Sequence, residues 1–291
     1  MYAEIARNKR RTVALMFGFF VIIAALGYLV GSIISDNPPT FLFIFGFLSL
    51  AYALFSYFGG ARMALAVNGA KEITKKDNPR LWRTVENLAI TTGMPMPKVY
   101  VMDDPAPNAF ATGRNPQHSA VAATTGLLET MNDTELEAVM AHEMGHVQNY
   151  DIRVNTLAFA LVGIISMIAD VFWNAMFWGG RDSDNRNQVT MILALVAVIL
   201  APIAATLLQL SISRRREYLA DATGALTTRY PDGLASALEK IAAYGSALKR
   251  PNTSTAHMFF ANPLKGKTLA SLFSTHPPVE DRIAKLRGMK L

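Results

Sequence analysis

Hydrophobic positions are gathered into four runs along the chain, Val13–Ile34, Phe41–Phe58, Leu157–Trp178 and Val189–Leu210. Each approaches the length of about 20 residues that a helix needs to cross the hydrocarbon of a bilayer. The first, second and fourth contain no charged residue. The third carries Asp170 and Asn174, polar groups that are costly in lipid, so it predicts either a span or a helix packed against protein. Basic residues give the direction: Arg7, Lys9, Arg10 and Arg11 precede the first run, none lies in Ser35–Thr40, and Arg214, Arg215 and Arg216 follow the fourth. Both termini are therefore expected on the cytoplasmic side. The first run is too long for the apolar part of a signal peptide and lacks a small-x-small cleavage site, which predicts an uncleaved anchor.

Between these runs the pattern is that of a soluble domain. Pro79–Thr92 reads as a helix opening on proline, and Lys98–Asp103, Asn108–Thr112 and Ser119–Thr124 read as short strands separated by Pro, Gly and Asn. Asp133–Tyr150 has no proline, a cap at Asn132 or Asp133, and apolar positions at Leu136, Val139, Met140 and Val147, the spacing of an amphipathic helix. Asp232–Leu248 and Pro278–Leu286 predict two later helices. The expected division is a tail and hairpin over 1–58, a first soluble part over 59–156, a second hairpin over 157–210 and a second soluble part over 211–291.

Composition narrows the chemistry. The 291 residues carry 28 Lys+Arg against 22 Asp+Glu, a formal charge of +6, yet only 17% are charged, against about 25% in ordinary soluble proteins. The basic residues flank apolar runs and form no stripe with interleaved aromatics, which disfavours a nucleic-acid partner. With no cysteine, disulfides, Cys-ligated zinc, iron–sulfur clusters and thiol nucleophiles are excluded. A bound metal must be held by histidine and carboxylate.

The predicted helix from Asp133 contains His142-Glu143-Met144-Gly145-His146. Residues four apart on a helix lie about 5–6 Å apart at Cβ, so two imidazoles can converge on one zinc ion at about 2.0–2.1 Å. Glu143, turned by about 100° from His142, can face the water to be activated without entering the coordination sphere, as a general base requires. A third ligand must come from elsewhere, and the candidates are His118, His257, His276 and carboxylates. Glu217 is the strongest, because Glu217 and Asp221 share a helical face and Asp221 could accept the outer N–H of a ligating imidazole. The opposing interpretation is an exposed acidic pair neutralised by Arg214–Arg216. If the helix runs unbroken into the third apolar run, His146 sits roughly 17 Å from it along the axis, placing the metal near the bilayer. Gly145 inside a helix predicts a neighbouring backbone close by.

Taken in order, the basic tail with two early apolar runs, Pro107-Asn108-Ala109-Phe110-Ala111-Thr112-Gly113, the H-E-x-x-H sequence, the second apolar hairpin, Arg216-Glu217-Tyr218-Leu219-Ala220-Asp221 and His276-Pro277-Pro278 resemble the HtpX membrane metalloproteases. That family is related to the CaaX prenyl proteases and other gluzincins. The resemblance implies a multi-span α-helical membrane protein with an α+β zincin-type metalloprotease domain. It implies His142, His146 and Glu217 as ligands of one zinc per chain, Glu143 as catalytic base and Asp221 as partner of a ligand histidine. Asn108, Ala109, Phe110, Ala111 and Thr112 would form the edge strand to which an extended substrate adds, and His276 and Arg282 would reach substrate or the developing oxyanion. The implied setting is a bacterial-type inner membrane with the active site cytoplasmic, and the implied work is quality control of misfolded or unassembled membrane proteins under stress. Partners would be protein or peptide substrates, the lipid bilayer, and an oligomer or other quality-control proteases. The alternatives are a prenyl-protein CaaX protease, or a membrane transporter or scaffold carrying a chance H-E-x-x-H.

Overall fold

The computed structural model describes residues 2–34, 36–178, 196, 199, 213–245, 248–249, 255–261 and 277–289; the side chains of 2, 4, 33, 34 and 166–178 lie outside that description. Two long helices come first, α1 (Tyr2–Ile34) and α2 (Pro38–Val67). Among the described residues these are the helices long and apolar enough to cross a membrane, over Ile5–Ser32 and Pro38–Val67. Val13, Phe17, Phe43 and Phe47 are each more than 60% exposed, which suits contact with lipid.

The pair is held by small residues. On α2 the buried positions are Gly46, Ser49, Ala53, Ser56, Gly60, Ala64 and Leu65, mostly small residues that let backbones approach closely; Gly46 faces Phe20 and Ala24 of α1, whereas Gly60 faces Thr156 and Ala160 later in the chain. On α1 the matching point is Gly27, where an added Cβ would lie 2.8 Å from the Phe41 carbonyl oxygen and 2.5 Å from the Phe45 Cβ. Gly27→Val is therefore expected to force the helices apart and cost about 1–3 kcal/mol, read as a lower unfolding temperature in detergent. Gly18→Val, with nothing within 4 Å, is the control expected to change little.

The domain beyond these helices is built on a four-stranded sheet ordered β1-β2-β4-β3, from β1 (Lys71–Glu72), β2 (Lys98–Met102), β3 (Ala109–Asn115) and β4 (His118–Thr124). β3 and β4 form an antiparallel hairpin, and β2 runs parallel to β4. The helices α3 (Pro79–Thr92), α4 (Thr125–Thr130), α5 (Asp133–Gln148), α6 (Asp151–Trp178), α7 (Arg214–Thr228), α8 (Pro231–Tyr244) and α9 (Val279–Arg287), with a short 3-10 turn at Ala256–Met258, complete the described elements. One core unites Leu81, Val85 and Leu88 of α3, Val121 of β4, Leu136, Val139 and Met140 of α5, and Leu234 and Leu238 of α8.

Helix α5 is fixed at its start by a reciprocal cap. The Asn132 side chain accepts from the Glu135 N–H at 2.9 Å, and the Glu135 carboxylate accepts from the Asn132 N–H at 2.9 Å. The same carboxylate accepts from Ser236 Oγ at 2.6 Å and Lys240 Nζ at 2.7 Å on α8. Burial alone would raise its pKa, but these donors outweigh it and hold the carboxyl below the usual range. A depressed folded-state pKa means stability that is present above the unfolded value near 4.3 and lost as pH falls through the folded one. Glu135→Ala is expected to cost about 1–2 kcal/mol near neutral pH. Denaturant titrations should show that deficit shrinking toward acid pH.

The structure bears on two expectations from the sequence. The third apolar run does lie in a helix, but Leu157, Ala158, Ala160 and Leu161 are at most 1% exposed. Its first half is packed against protein: Leu157 and Leu161 cluster with Leu15 and Phe19 of α1, and Tyr52 of α2 donates to the Ala160 carbonyl at 2.7 Å. Nor does α5 run on into it. The chain breaks at Asn149–Tyr150, where Tyr150 adopts φ 61, so the 17 Å separation expected of an unbroken helix does not apply. The fourth run lies outside the described residues except Val196 and Ile199, which pack on the same α1–α6 cluster. The Asp170 side chain is also outside them.

Candidate metal and catalytic site

His142 and His146 project from one face of α5, and Glu217 and Asp221 meet them from the first two turns of α7. The helices can approach because α7 presents glycine to α5. A Cβ on Gly224 would lie 3.0 Å from the His142 backbone nitrogen, and one on Gly145 would lie 3.5 Å from Ala220 Cα. The backbone neighbour predicted for Gly145 is thus α7 itself.

The three donor groups converge. His142 Nε2 and His146 Nε2 are 3.2 Å apart, Glu217 Oε1 is 3.5 Å from His146 Nε2, and Glu217 Oε2 is 3.9 Å from His142 Nε2. Ligands at about 2.05 Å around a tetrahedral zinc would be separated by about 3.3 Å, so the triangle has the size such an ion needs. All three residues are buried, with no ligand atom more than 4.8 Å from another.

The outer ring nitrogens are occupied as well. His142 Nδ1 is 2.9 Å from Asp221 Oδ1, a short but bent contact, and His146 Nδ1 is 3.1 Å from Asp151 Oδ2. With a carboxylate beside each Nδ1, well aligned only at His146, the tautomer that carries its proton on Nδ1 is favoured and both Nε2 atoms present lone pairs to the same point. Two lone pairs 3.2 Å apart repel, unless a cation or a proton sits between them. The electrostatics of the side chains alone show the same demand. Burial pulls His146 down, but Asp151, Glu217 and Glu143 together outweigh it and lift its pKa to about 9. His142, fully buried, is pushed down to about 4 despite Asp221. The donor set, its spacing and the oriented imidazoles fit a divalent metal.

Glu143 is 1% exposed, and neither carboxylate oxygen meets a hydrogen-bond partner among the described residues. Burial is the main cause that raises its pKa to about 7; His146 and Arg282 pull it down, and Glu217 adds to the rise. A carboxyl poised near neutrality can both take and return a proton.

Arg282, on α9, is 1% exposed. Its Nε and Nη2 donate to Asp221 at 2.9 and 2.6 Å, Nη1 lies 3.9 Å from Glu217, and the guanidinium stacks over Phe260 at 4.9 Å. Its described contacts are thus with Asp221, Glu217 and the ring that also packs edge-on against His142. His276 lies outside the described residues.

Ala109, Phe110, Ala111 and Thr112 lie on the edge strand β3, Asn108 immediately precedes it, and all five are buried. Part of that edge is covered: Phe259 bridges Phe110, the Phe260 N–H donates to the Ala109 carbonyl at 2.8 Å, and Asn108 is tied to Ala261. At Gly113 the N–H donates to Thr156 Oγ1. Ala111, between these points, brings its backbone close enough to Glu143 to lower the carboxyl's pKa slightly without completing a hydrogen bond to it. Of the other histidines weighed as ligands, His118 is exposed against Asn115, and His257 Nε2 lies 3.1 Å from the Asn155 carbonyl.

Sequence reasoning missed Asp151, Phe260 and Asn8, whose Nδ2 reaches Asp151 at 2.7 Å. The only local signal was an aspartate five residues beyond His146. Nothing local marked Asn8.

The sequence profile of Peptidase family M48 matches residues 75–290. The protease HtpX homologue of Tropheryma whipplei (strain Twist) is 52% identical over 289 residues, which cover 99% of this chain and 98% of that one. The protease HtpX homologue of Ligilactobacillus salivarius (strain UCC118) is 44% identical over 295 residues, 99% of this chain and all of its own length. The crystal structure of S. mikatae Ste24p superposes with a TM-score of 0.51 at 19% identity, over 98% of this chain and 67% of that one, a likeness of fold. With the H-E-x-x-H helix, the converging donors and the paired apolar helices already in place, the chain belongs to Peptidase family M48, as one of its HtpX-type membrane metalloproteases.

Proposed function

We propose that His142, His146 and Glu217 bind one zinc ion per chain, and that Glu143 is the general base of peptide-bond hydrolysis. The observation that carries this is the convergence of three buried donor groups from α5 and α7, with both outer ring nitrogens turned to carboxylates. A zinc ion held there would supply Lewis acidity toward the scissile carbonyl and lower the pKa of water. Glu143 takes the proton from the attacking water and returns it to the leaving nitrogen; its unpartnered oxygens leave it free to do so. Asp221 holds His142 in the tautomer that offers Nε2, and Arg282 in turn holds Asp221. An extended substrate pairs with the Ala111 backbone at the stretch of β3 that faces Glu143. Within the span 108–112 the neighbouring positions are shared with Phe259–Phe260, which bounds the substrate strand on that side.

The soluble parts 59–156 and 211–291 act as one catalytic unit on the cytoplasmic face of a bacterial inner membrane, with the second hairpin as a further membrane element. The cationic flanks of the first and fourth apolar runs support this orientation. A site attached directly to two membrane helices favours misfolded or unassembled membrane proteins as substrates.

Metal analysis of the purified protein tests the ligand set. One zinc per chain is expected in the parent, with loss in His146→Ala and in Glu217→Ala. Retention of full zinc by either variant would remove that residue from the ligand set. Cleavage of unmodified peptides at least as fast as prenylated ones is expected, and a strict need for the prenyl group would favour the CaaX-type alternative.

A further inference from the structure

We propose that Asn8, on the first membrane helix, is a positioning residue for the metal site: through Asp151 it fixes the orientation of His146. The proposal rests on the assignment of His146 as a ligand, and concerns the part of the chain that precedes the family-matched residues 75–290.

Asn8 is wholly buried, one turn before the apolar run, although an amide at a helix surface is ordinarily solvated. Its Nδ2 donates to Asp151 Oδ1 at 2.7 Å and to the Asn149 carbonyl at 2.9 Å. Both neighbours are acceptors, so the amide is oriented by chemistry: its oxygen in that place would face a carboxylate and a carbonyl. The other Asp151 oxygen, Oδ2, lies 3.1 Å from His146 Nδ1. Arg216 Nη1 is 3.6 Å from Oδ1. Asp151 is 1% exposed. Asn8, Asp151 and His146 thus form a linear relay that ends on Nε2, the atom turned to His142 and Glu217.

The corner that carries Asp151 is itself unusual. Tyr150 holds φ 61, a left-handed conformation uncommon for an aromatic residue. Its ring is flanked by Lys9 of α1 and by Arg153, each 5.0 Å from the centroid. Adjacent residues of α1, Asn8 and Lys9, therefore hold the α5–α6 corner from one side. Without Asn8 the Asp151 carboxylate would keep only the longer contact to Arg216 on that side, and its orientation toward the His146 ring would be less fixed. Partners of this kind typically change metal affinity by about 10–100-fold. On this account α1 anchors the chain and also completes the metal site.

The test is metal affinity of the full-length protein in detergent, by competition with a chromogenic chelator, together with the visible absorption of the Co(II)-substituted protein. Asn8→Asp puts a second carboxylate against Asp151 and is expected to weaken zinc by about tenfold or more and to alter the Co(II) bands. Asp151→Asn is expected to weaken it similarly. Combining the two exchanges donor and acceptor: the new amide at 151 can donate to the new carboxylate at 8 and accept from His146. The double variant is expected to bind zinc more tightly than Asn8→Asp alone. Leu15→Ala, a packing change on the same helix, should lower the unfolding temperature and leave affinity within about twofold. Unchanged affinity in Asn8→Asp, or a double variant no better than its weaker parent, overturns the relay. If Asn8→Asp does not yield folded protein, Asn8→Ala is measured alone and with Asp151→Asn. It should weaken zinc by itself and add little to Asp151→Asn; equal effects in both backgrounds overturn the relay. Absence of zinc from the parent, or its retention in His146→Ala, would instead refute the ligand assignment beneath it.

Discussion

Glu143→Gln is expected to lower kcat by about 10³-fold or more while leaving zinc stoichiometry unchanged. The basis is that Glu143 belongs to the same helix as the two histidines yet lies outside their donor triangle, fully buried and without a hydrogen-bond partner among the described residues. Glutamine keeps the volume and removes the ability to accept a proton, and positioned general bases contribute about 10²–10⁴-fold. Burial and Glu217 resist ionisation of the parent carboxyl, so Glu143→Gln should also leave the fold no less stable, since a buried amide is cheaper than a buried charge. The measurement is paired, peptide cleavage beside metal analysis of the same preparation. Parental turnover in Glu143→Gln would transfer the base to another group, and loss of zinc would show that the residue shapes the metal site instead.

Arg282→Ala is expected to destabilise the protein by about 3–5 kcal/mol, as breaking a buried ion pair usually does. Its guanidinium is the double donor to Asp221, both groups are nearly solvent-free, and Asp221 is held below the usual carboxylate range, with Arg282 the leading cause that offsets its burial. Removing the cation leaves that buried carboxylate with His142 alone and takes from Glu217 its nearby positive charge. Denaturant unfolding in detergent gives the cost directly. Arg282→Lys separates two roles. If Arg282 acts by holding Asp221, lysine should restore part of the stability and part of the metal affinity together. If it touches substrate, lysine should restore stability while kcat stays low.

Much of the domain was legible from spacing alone. The helix Pro79–Thr92 has the same bounds in the structure, because proline opens it, Asn78 caps it through Leu81 N–H, and Gly93 closes it at φ 66. The strands near 98, 109 and 118 and the helix from Asp133 were marked by apolar alternation and by the Asn132 cap. Less legible was the third apolar run. Hydropathy counts how much apolar surface a helix offers but cannot tell lipid from protein as its neighbour, and here Tyr52, Leu15 and Phe19 cover its first half. The corner at Tyr150 was hidden for a related reason: neither glycine nor proline marks it, and the left-handed residue is flanked by Arg153 nearby and by Lys9 from far outside the local sequence.

By itself, the sequence determined that two imidazoles four residues apart would share a helical face, that the intervening glutamate would stand beside them, and that apolar stretches of membrane length would flank the domain. Those properties follow from helical periodicity and hydrophobicity, which act over a few residues. Only the tertiary structure decided that Glu217 closes the donor triangle, that Asp221 is shared between His142 and Arg282, and that Asn8 reaches Asp151 across 143 residues of chain. Such contacts depend on how helices cross and which backbones can approach, and a buried polar group reveals its partner only once packing has excluded water from both.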